Sequence, residues 1–305
     1  MKAVACAVNS LNIVDQNPVG SVHSLFRNSV NLQFGQRLIH LSAGNYGRLP
    51  FGLILESDHM DVLLHRIVQG EPVHWDENHR SLWFSQSCLY FSLADTSVYK
   101  STLDLPKWNF SKDLYDALLC IVVSKDYSCG LGMAAEKALI ETGAVIGNRD
   151  GSSGLAGLQE AFYSDDSSLI ERRLRFLIGR GAGLTPSGDD VIIGFLLGVT
   201  AARQEAPVFL SVFNRLIAIE GRQLTTHISL EYLYYAGQRQ FGSCLQDLMK
   251  VLVSGPVSAV IAAARKVLAV GSTSGADTLI GLITFLAMLE GAKVRESDYT
   301  SCLRR

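Results

Sequence analysis

The chain has 305 residues, of which 18% are charged and 48% apolar, and its 27 basic side chains nearly balance 29 acidic ones. This length suffices for about two domains, and the absence of a basic block argues against a nucleic-acid partner. The charged fraction is below the ~25% of average soluble proteins, which suggests surface buried against another subunit. The longest apolar runs, 191–202 and 278–289, are shorter than the ~20 residues that span a bilayer, so we expect buried helices and no membrane partner.

The first hundred residues carry short β-branched or alternating runs separated by turn residues, which predict the strands of a small sheet or barrel. These runs lie at 29–34, 37–41, 51–55, 82–84 and 88–93. One helix is predicted among them, from Ser57 or Asp58 to Gly70. The segment 100–112 is the predicted linker to the rest of the chain.

After the linker the apolar residues recur at helical spacing. The predicted helices span 112–123, 131–142, 167–178, 188–202, 207–219, 226–236, 243–253, 256–270 and 274–290. Residues 147–168 are rich in Gly, Ser and Asp and predict a mobile loop over or near the site. The predicted fold class is therefore α+β, with a mostly β N-terminal domain at 1–105 and a larger, mostly α-helical domain at 106–305.

The six cysteines lie far apart and form no Cys-x-x-Cys pair. This spacing argues against a zinc ribbon, a redox motif or a disulfide framework, so we expect reduced thiols and a cytoplasmic location. The first sixteen residues contain Asn9, Asn12, Asp15 and Gln16. They therefore lack the continuous apolar stretch of a signal peptide.

The most informative segment is 180–190, Arg-Gly-Ala-Gly-Leu-Thr-Pro-Ser-Gly-Asp-Asp, which an apolar run follows at once. Its glycines allow tight turns, and Ser187 or Asp189 can cap a helix whose first amides stay free. Together with Arg180 and Thr185, such a helix start forms a cradle for a phosphate or carboxylate. The alternative is a capped helix start that binds nothing.

A second segment repeats this motif. Residues 271–281 align with 183–194 after a one-residue gap at Pro186, so that Gly, Thr, Ser, Gly, Asp, Ile and Gly recur in order. The repeat predicts two related helical units whose Gly-rich helix starts face a common cavity. Alternatively, the glycines within these apolar helices serve only close helix packing.

A third candidate element begins at Gly221. Thr225 or Thr226 is predicted to cap a helix, and His227 lies in its first turn, where a neutral imidazole could move a proton or bind a carbonyl. The alternative is a histidine with a purely structural role. The chain contains no Gly-x-Ser-x-Gly, Walker or Gly-x-Gly-x-x-Gly motif that would indicate a serine hydrolase, a P-loop enzyme or a Rossmann site.

Three carboxylates near the two helix starts, Asp189, Asp190 and Asp277, could bind Mg²⁺ and bridge it to a phosphate. Carboxylates beside helix starts more often act as caps or dipole partners, and a phosphate bound by amides alone needs no metal. We therefore predict that no cofactor is required. The alternative is a Mg²⁺ ion bound by these carboxylates.

At these motifs the chain resembles a known family, the AllH-type subunit of oxamate carbamoyltransferase. The matching stretches from about residue 175 onward are 181–190, Thr225-Thr226 with Ser229 and Tyr232-Leu233, and 273–281. A weaker resemblance covers the β-rich start through Phe26, Asn31-Leu32 and 50–55. The chain departs from a related protein at Gly188, where that protein has histidine between the Ser and the Asp pair. This departure favours a different acceptor substrate.

The resemblance implies a reversible carbamoyl transfer, in which oxalurate and phosphate give oxamate and carbamoyl phosphate. It also implies two companion subunits, an FdrA-like chain with a nucleotide- or CoA-binding type of fold and an AllG-type chain. Carbamoyl transfer needs two anions held side by side and oriented donors for the developing oxyanion, but no redox cofactor. Two converging helix starts could supply these donors.

We predict the following site. The candidate catalytic residues are Ser187, Asp190, Thr226, His227 and Asp277. The candidate substrate- and phosphate-binding residues are Arg180, Gly183, Thr185, Gly188, Asp189, Thr225, Thr273, Ser274 and Gly275. The alternatives are a noncatalytic anion-binding or scaffold subunit of the same complex, or a transferase or carboxylase-like enzyme that acts on another acceptor.

Overall fold

The computed structural model describes residues 1–44, 47–106, 111–123, 128–130, 133–134, 139 and 156–289. The chain divides into two compact units. The first is Met1–Thr102 with Gln240–Ser243, and the second consists of the described residues within Leu103–Arg239 and Cys244–Arg305.

The first unit contains a nine-stranded sheet in the order β8-β7-β6-β2-β3-β4-β5-β1-β9. Its strands are β1 Ala3–Ala7, β2 Val19–Leu25, β3 Ser29–Phe34, β4 Arg37–Ser42, β5 Gly52–Leu55, β6 Pro72–Asp76, β7 Ser81–Phe84, β8 Leu89–Ser92 and β9 Ser97–Tyr99. The pairs β4–β5 and β1–β9 are parallel. The other neighbouring strands pair antiparallel.

Two helices complete this unit, α1 at Val8–Gln16 and α2 at Ser57–Arg66. Alternation along β3 turns Val30, Leu32 and Phe34 to one face of the sheet. On that face they are buried in one apolar core with Met60 and Leu63 of α2. The hydrophobic core of the unit therefore lies between the sheet and helices that pack on it.

The strand predictions hold where alternation is strong. Strand β3 has the predicted bounds, and β4, β5, β7 and β8 lie at the predicted positions within one residue at each end. The sequence reasoning missed β1, β2, β6, β9 and α1, because their small or polar residues give weak local signals that the neighbouring strands override. The predicted helix at Ser57 ends at Arg66 rather than Gly70, since Ile67 is already extended.

The second unit is mostly helical. Its helices are α3 Lys112–Val123, α4 Ala156–Phe162, α5 Ser167–Leu177, α6 Ser187–Ala201, α7 Pro207–Leu224, α8 His227–Gly237, α9 Ser243–Ser254, α10 Val257–Leu268 and α11 Ser274–Leu289. A short antiparallel hairpin pairs β10 Ser128–Cys129 with β11 Met133–Ala134. Nearly every residue of α6 and α11 is buried, so these two apolar helices form the centre of the unit.

Helices α6 and α11 touch backbone to backbone. A Cβ added at Gly194 would approach the carbonyl oxygen of Thr278 to less than 3.0 Å, and one added at Gly281 would do the same to the carbonyl oxygen of Val191. The repeated glycine of each helix therefore allows the backbone of the other helix to pack directly against it. Glycine permits this contact because it has no side chain to separate the two backbones.

The first turns of α6 and α11 repeat a second packing feature. Gly188 packs against the carbonyl of Leu177 at the end of α5, and Gly275 packs against the carbonyl of Val267 near the end of α10. The helix pairs α5–α6 and α10–α11 are thus built alike. The repeat that the sequence shows is a repeat of packing as well as of residues.

Two predictions in the helical region need correction. Strand β11 lies within the helix predicted at 131–142, and the rest of that helix falls outside the described residues except for 139. Residues 147–155 of the predicted mobile loop also lie outside them, while 156–162 form α4. Burial of Leu158 and Phe162 stabilises this helix in spite of the Gly- and Ser-rich composition around it.

The expectation of reduced thiols is wrong at Cys120. Cys120 is disulfide-bonded, whereas Cys6, Cys88 and Cys244 are free. Spacing along the chain could not predict this pairing, because a disulfide depends on the distance between two cysteines in the folded chain. Within the described residues, no helix has both the length and the apolar character needed to cross a membrane.

Candidate functional site

The starts of α6 and α11 lie side by side. Thr185, two residues before α6, and Ser274, the first residue of α11, share a hydrogen bond of 2.7 Å between their hydroxyls. The structure therefore brings together the two Gly-rich segments that the sequence predicts to face a common cavity. We refer to these two segments with their first helical turns, residues 180–190 and 271–277, as the paired helix starts.

Ser187 provides a buried hydroxyl at this place. Its side chain is fully buried, and among the described residues its Oγ has no hydrogen-bond partner. A Cβ added at Gly130, in the turn after β10, would approach Ser187 Oγ to less than 3.0 Å and would lie 2.8 Å from Thr273 Oγ1. Hydroxyls from both helix starts thus face the same turn.

Two equivalent carboxylates, Asp190 and Asp277, occupy the first turns of the two helices. Asp277 is fully buried and accepts from the backbone N–H of Gly130, at 3.3 and 3.4 Å to its two oxygens. Asp190 is also buried, and its Oδ2 has no partner in the part of the chain that the structure describes. The paired helix starts therefore hold two acidic groups as well as hydroxyls.

Burial raises the pKa of Asp190 well above its ordinary value. The nearby negative charges of Asp277 and Asp189 raise this pKa further, while hydrogen bonds from the hydroxyls of Ser274 and Thr185 act in the opposite direction. Low polarity and like charges both disfavour an ionised carboxylate. Both effects therefore favour the protonated form of Asp190 relative to an exposed carboxyl group.

Asp189 has different surroundings from its neighbour in the chain. Its Oδ1 accepts from the N–H of Gly179 at 2.7 Å, and its Oδ2 accepts from the hydroxyls of Ser229, at 2.6 Å, and Thr225. Burial raises the pKa of Asp189, and these three donors counteract that rise. The carboxylate therefore joins the end of α5 to the start of α8 and has both oxygens occupied by protein groups.

The predicted residues at the start of α8 act as connections. The hydroxyl of Thr226 accepts from Ser229 N–H at 3.0 Å, which caps α8, and donates to the carbonyl of Leu184 in the loop before α6. His227 lies beside Arg222 of α7, with 3.1 Å between its Nε2 and a guanidinium nitrogen. The structure thus attaches α8 to the first helix start through Thr226 and pairs His227 with α7.

Arg180 lies at the surface, where its guanidinium stacks 3.7 Å from the centre of the Phe176 ring. The glycines beside it set the path of the loop, because Gly181 and Gly183 adopt φ values of +113° and +100° that other residues rarely reach. Gly271 adopts +64° at the position that aligns with Gly183. The two loops therefore share a conformational requirement.

Gly188 has a packing role. A side chain there would meet the Leu177 carbonyl, so glycine is needed for α6 to approach the end of α5. A side chain on this Cα would face the α5 backbone. The hypothesis that Gly188 selects a different acceptor stays a prediction.

The sequence reasoning missed Gly130. It lies between two predicted helices, outside the motifs that the sequence analysis singled out. Only the hairpin brings its backbone to Asp277, Ser187 and Thr273. Within the described ranges, no group of three or more His, Cys, Asp and Glu side chains is placed to hold a metal ion.

Comparison with known protein families agrees with the motifs. The model of the AllH family N-terminal domain matches residues 2–98, and the model of the oxamate carbamoyltransferase subunit AllH matches residues 177–286. The chain belongs to the AllH family. No solved structure matches it.

The AllH assignment agrees with the architecture. The two matched stretches cover most of the chain, and the second includes both helix starts. The predicted fold class, a β-rich N-terminal region followed by a helical one, is confirmed. Gly130 lies in neither matched stretch of this AllH chain.

Proposed function

We propose that this chain is a subunit of a carbamoyltransferase. Its paired helix starts bind the anionic ligand, phosphate or carbamoyl phosphate. The proposed reaction interconverts oxalurate plus phosphate with oxamate plus carbamoyl phosphate. Membership in a family named as an oxamate carbamoyltransferase subunit supports the subunit role. The observation that supports the site is the buried hydroxyl of Ser187, which has no hydrogen-bond partner among the described residues. This hydroxyl and that of Thr273, from the second helix start, both face Gly130.

An anion fits these surroundings for two physical reasons. A buried hydroxyl without a partner costs about 1–3 kcal/mol, which a bound oxygen atom would recover. The first amides of these helices, which the sequence predicts to stay free, are bonded within the chain, as Gly188 N–H is to the Arg180 carbonyl and Gly275 N–H to the Val270 carbonyl. The starts of α6 and α11 still direct the positive ends of two helix dipoles toward the place where their hydroxyls meet, and the hydroxyls of the two starts are the donors. Phosphate and carbamoyl phosphate are small enough to use both sets of donors.

The carboxylates determine which protonation state can bind. An ionised Asp190 would repel phosphate, whereas its raised pKa favours the protonated form, which can donate a hydrogen bond to an oxyanion. We therefore expect the anion to bind together with a proton on Asp190. Asp277 receives the Gly130 N–H, which partly compensates its charge.

In the proposed transfer, a phosphate oxygen attacks the carbamoyl carbon of oxalurate and the bond from that carbon to the oxamate nitrogen breaks. The departing nitrogen takes a proton from Asp190, and Asp190 recovers one from the phosphate hydroxyl. Ser187 and Thr273 would donate to the carbonyl oxygen as it gains negative charge. The overall proton count is unchanged, and no redox cofactor takes part.

The proposed complex includes FdrA-like and AllG-type companion subunits and lies in the cytoplasm. It requires no cofactor in this proposal; the alternative is a requirement for Mg²⁺. The decisive experiment is co-purification of the three chains, followed by measurement of phosphate-dependent carbamoyl phosphate formation from oxalurate. Activity should disappear when this chain is omitted. An assembled complex that is equally active without this chain would reject an essential catalytic role.

Ser187→Ala in this complex should lower transfer by about 10²- to 10³-fold, because one oriented donor to the reacting group is lost. Ser254→Ala, at the exposed end of α9, is the matched control and should retain full activity. Circular dichroism and thermal unfolding would verify that both variants fold. Full activity of Ser187→Ala together with full activity of Asp190→Ala would show that the paired helix starts are not the site.

A further inference from the structure

We propose that Gly130, the residue that follows β10, lines the anion site and that its lack of a side chain lets the Ser187 hydroxyl hold its position there. This inference rests on the proposed function and extends its site to a segment outside both matched family stretches. Gly130 is here a positioning residue, since it acts through the groups that would touch the substrate.

Gly130 contacts both helix starts through its main chain. The Gly130 N–H donates to the carboxylate of Asp277 on α11, at 3.3 and 3.4 Å to the two oxygens. Its Cα faces Ser187 Oγ of α6 and Thr273 Oγ1. One residue therefore touches the two equivalent segments of the repeat at once, and it does so from a third segment of the chain.

Space, and not backbone conformation, requires glycine here. The φ angle of Gly130 lies outside the left-handed region, so alanine could adopt its backbone conformation. An alanine Cβ, however, would lie closer than 3.0 Å to Ser187 Oγ and 2.8 Å from Thr273 Oγ1. A side chain at this position would therefore displace the Ser187 hydroxyl.

The position of this hydroxyl matters for binding because Ser187 Oγ has unused hydrogen-bonding capacity among the described residues. It is buried and has no partner in the described part of the chain, so a ligand oxygen is the group that would complete its hydrogen bonding. The Gly130 N–H also donates a hydrogen bond to the Asp277 carboxylate. This bond lessens repulsion between that carboxylate and an incoming oxyanion. Both contacts favour a small tetrahedral anion of the phosphate type.

The test combines ligand binding with rescue in the assembled complex. Inorganic phosphate and carbamoyl phosphate are titrated calorimetrically into wild type, Gly130→Ala, Ser187→Ala and the double variant. Gly130→Ala should weaken phosphate binding about tenfold or more, because a hydroxyl bond to a charged ligand is lost. In the Ser187→Ala background the same change should cost little more, since that hydroxyl is already absent.

Stability provides the second measurement. Gly130→Ala should lower the unfolding temperature of the full chain, and Ser187→Ala should restore part of the loss by removing the Oγ that the new Cβ meets. The double variant also keeps the experiment decisive where Gly130→Ala alone does not fold. Gly242→Ala, whose Cβ would meet only the end of the Leu49 side chain at 3.2 Å and the Arg48 carbonyl oxygen at 4.0 Å, is the control and should match wild type.

The outcomes separate this inference from the proposed function. Equal phosphate binding by wild type and Gly130→Ala, or additive effects of the two substitutions, would overturn the role of Gly130 and leave the anion site intact. A wild-type complex that binds neither phosphate nor carbamoyl phosphate would overturn the proposed site, and this inference with it. Weakened, non-additive binding with restored stability would support both.

Discussion

Asp189 and Asp190 are neighbours in the chain, yet their side chains serve different purposes. The carboxylate of Asp189 is fully engaged by Gly179, Thr225 and Ser229, whereas one oxygen of Asp190 has no partner among the described residues. Successive residues of a helix point about 100° apart, so one of the pair can face structural donors while the other faces a ligand. At the residue scale, the site consists of one structural acid and one acid that is available for chemistry.

Asp189→Ala should lower the free energy of unfolding by about 3 kcal/mol, because it leaves the buried Ser229 hydroxyl, the half-buried Thr225 hydroxyl and one backbone N–H without their acceptor. Urea denaturation would measure this loss. The control is Asp247→Ala, which removes an exposed ion pair with Lys250 and should change stability by less than about 0.5 kcal/mol. Equal, small effects of both substitutions would contradict the structural role of Asp189.

The raised pKa of Asp190 predicts a definite pH dependence. Above the ordinary Asp value of 3.8, the folded chain keeps a proton that the unfolded chain releases, so stability should fall as the pH rises toward the raised pKa. Asp189 contributes in the same direction. Asp190→Asn should therefore flatten, but not abolish, this decline in urea unfolding measured from pH 4 upward.

The same proton should control ligand binding. Phosphate affinity of the wild-type complex should decrease as Asp190 ionises, and Asp190→Asn should bind phosphate with a weaker dependence on pH. Titrations at several pH values, compared with the phosphate's own ionisation, would measure the difference. Identical pH profiles for stability and for binding in wild type and variant would show that Asp190 is not the titrating group.

At the scale of elements, the α6–α11 contact positions the site. The repeated glycines Gly194 and Gly281 let these helices approach until backbone meets backbone, and this approach brings the two helix starts together. The aromatic rings of Phe162, Phe195 and Phe285 then pack edge to face around the helix pair. Helix packing and site geometry are therefore determined by the same contact.

Gly194→Ala and Gly281→Ala should each destabilise the chain by about 1–3 kcal/mol or more, because the added methyl group would overlap a backbone carbonyl that cannot rotate away. The two effects should be similar, since the contacts are reciprocal. Thermal unfolding would measure them, with Gly242→Ala as control. Either variant unfolding like wild type would contradict the close contact at that glycine.

At the scale of the whole molecule, the N-terminal unit is completed by a distant segment. Residues Gln240–Ser243 belong to it, and they bond to it through Phe241 N–H to Ser101, Ser243 N–H to Arg48, and the amide of Asn9 to Gln240. The proposed division at 105 and 106 would separate this segment from its sheet-bearing unit. The chain thus leaves the first unit and returns to it.

A fragment of residues 1–105 should therefore be less stable than the same unit in the intact chain, since it leaves these backbone groups unpaired. Hydrogen exchange at Arg48, whose backbone N–H donates to the Ser243 hydroxyl at 3.0 Å in the intact chain, would measure local opening. A fragment that carries 240–243 on a flexible linker should recover part of the protection. Equal protection in the short fragment and the full chain would support an independent domain at 1–105.

The sequence by itself determined the features that arise from local periodicity and composition. Alternation located β3, and helical spacing located α5 to α11, although α7 continues to Leu224 beyond its predicted end at Ile219. The recurring Gly-Thr-Ser-Gly-Asp residues revealed the repeat and its family. These signals are local, because they depend on how each segment buries one face or begins a helix. The family and the α+β fold class followed from them.

Only the tertiary structure decided which polar groups meet. Whether Asp189 or Asp190 faces structural donors, whether Cys120 is paired, and whether Gly130 approaches Ser187 all depend on segments far apart in the chain. The weak strand β2 likewise forms because β3 and β6 supply its hydrogen bonds. Burial and pairing between distant segments leave no local signal, so no reading of neighbouring residues could have predicted them.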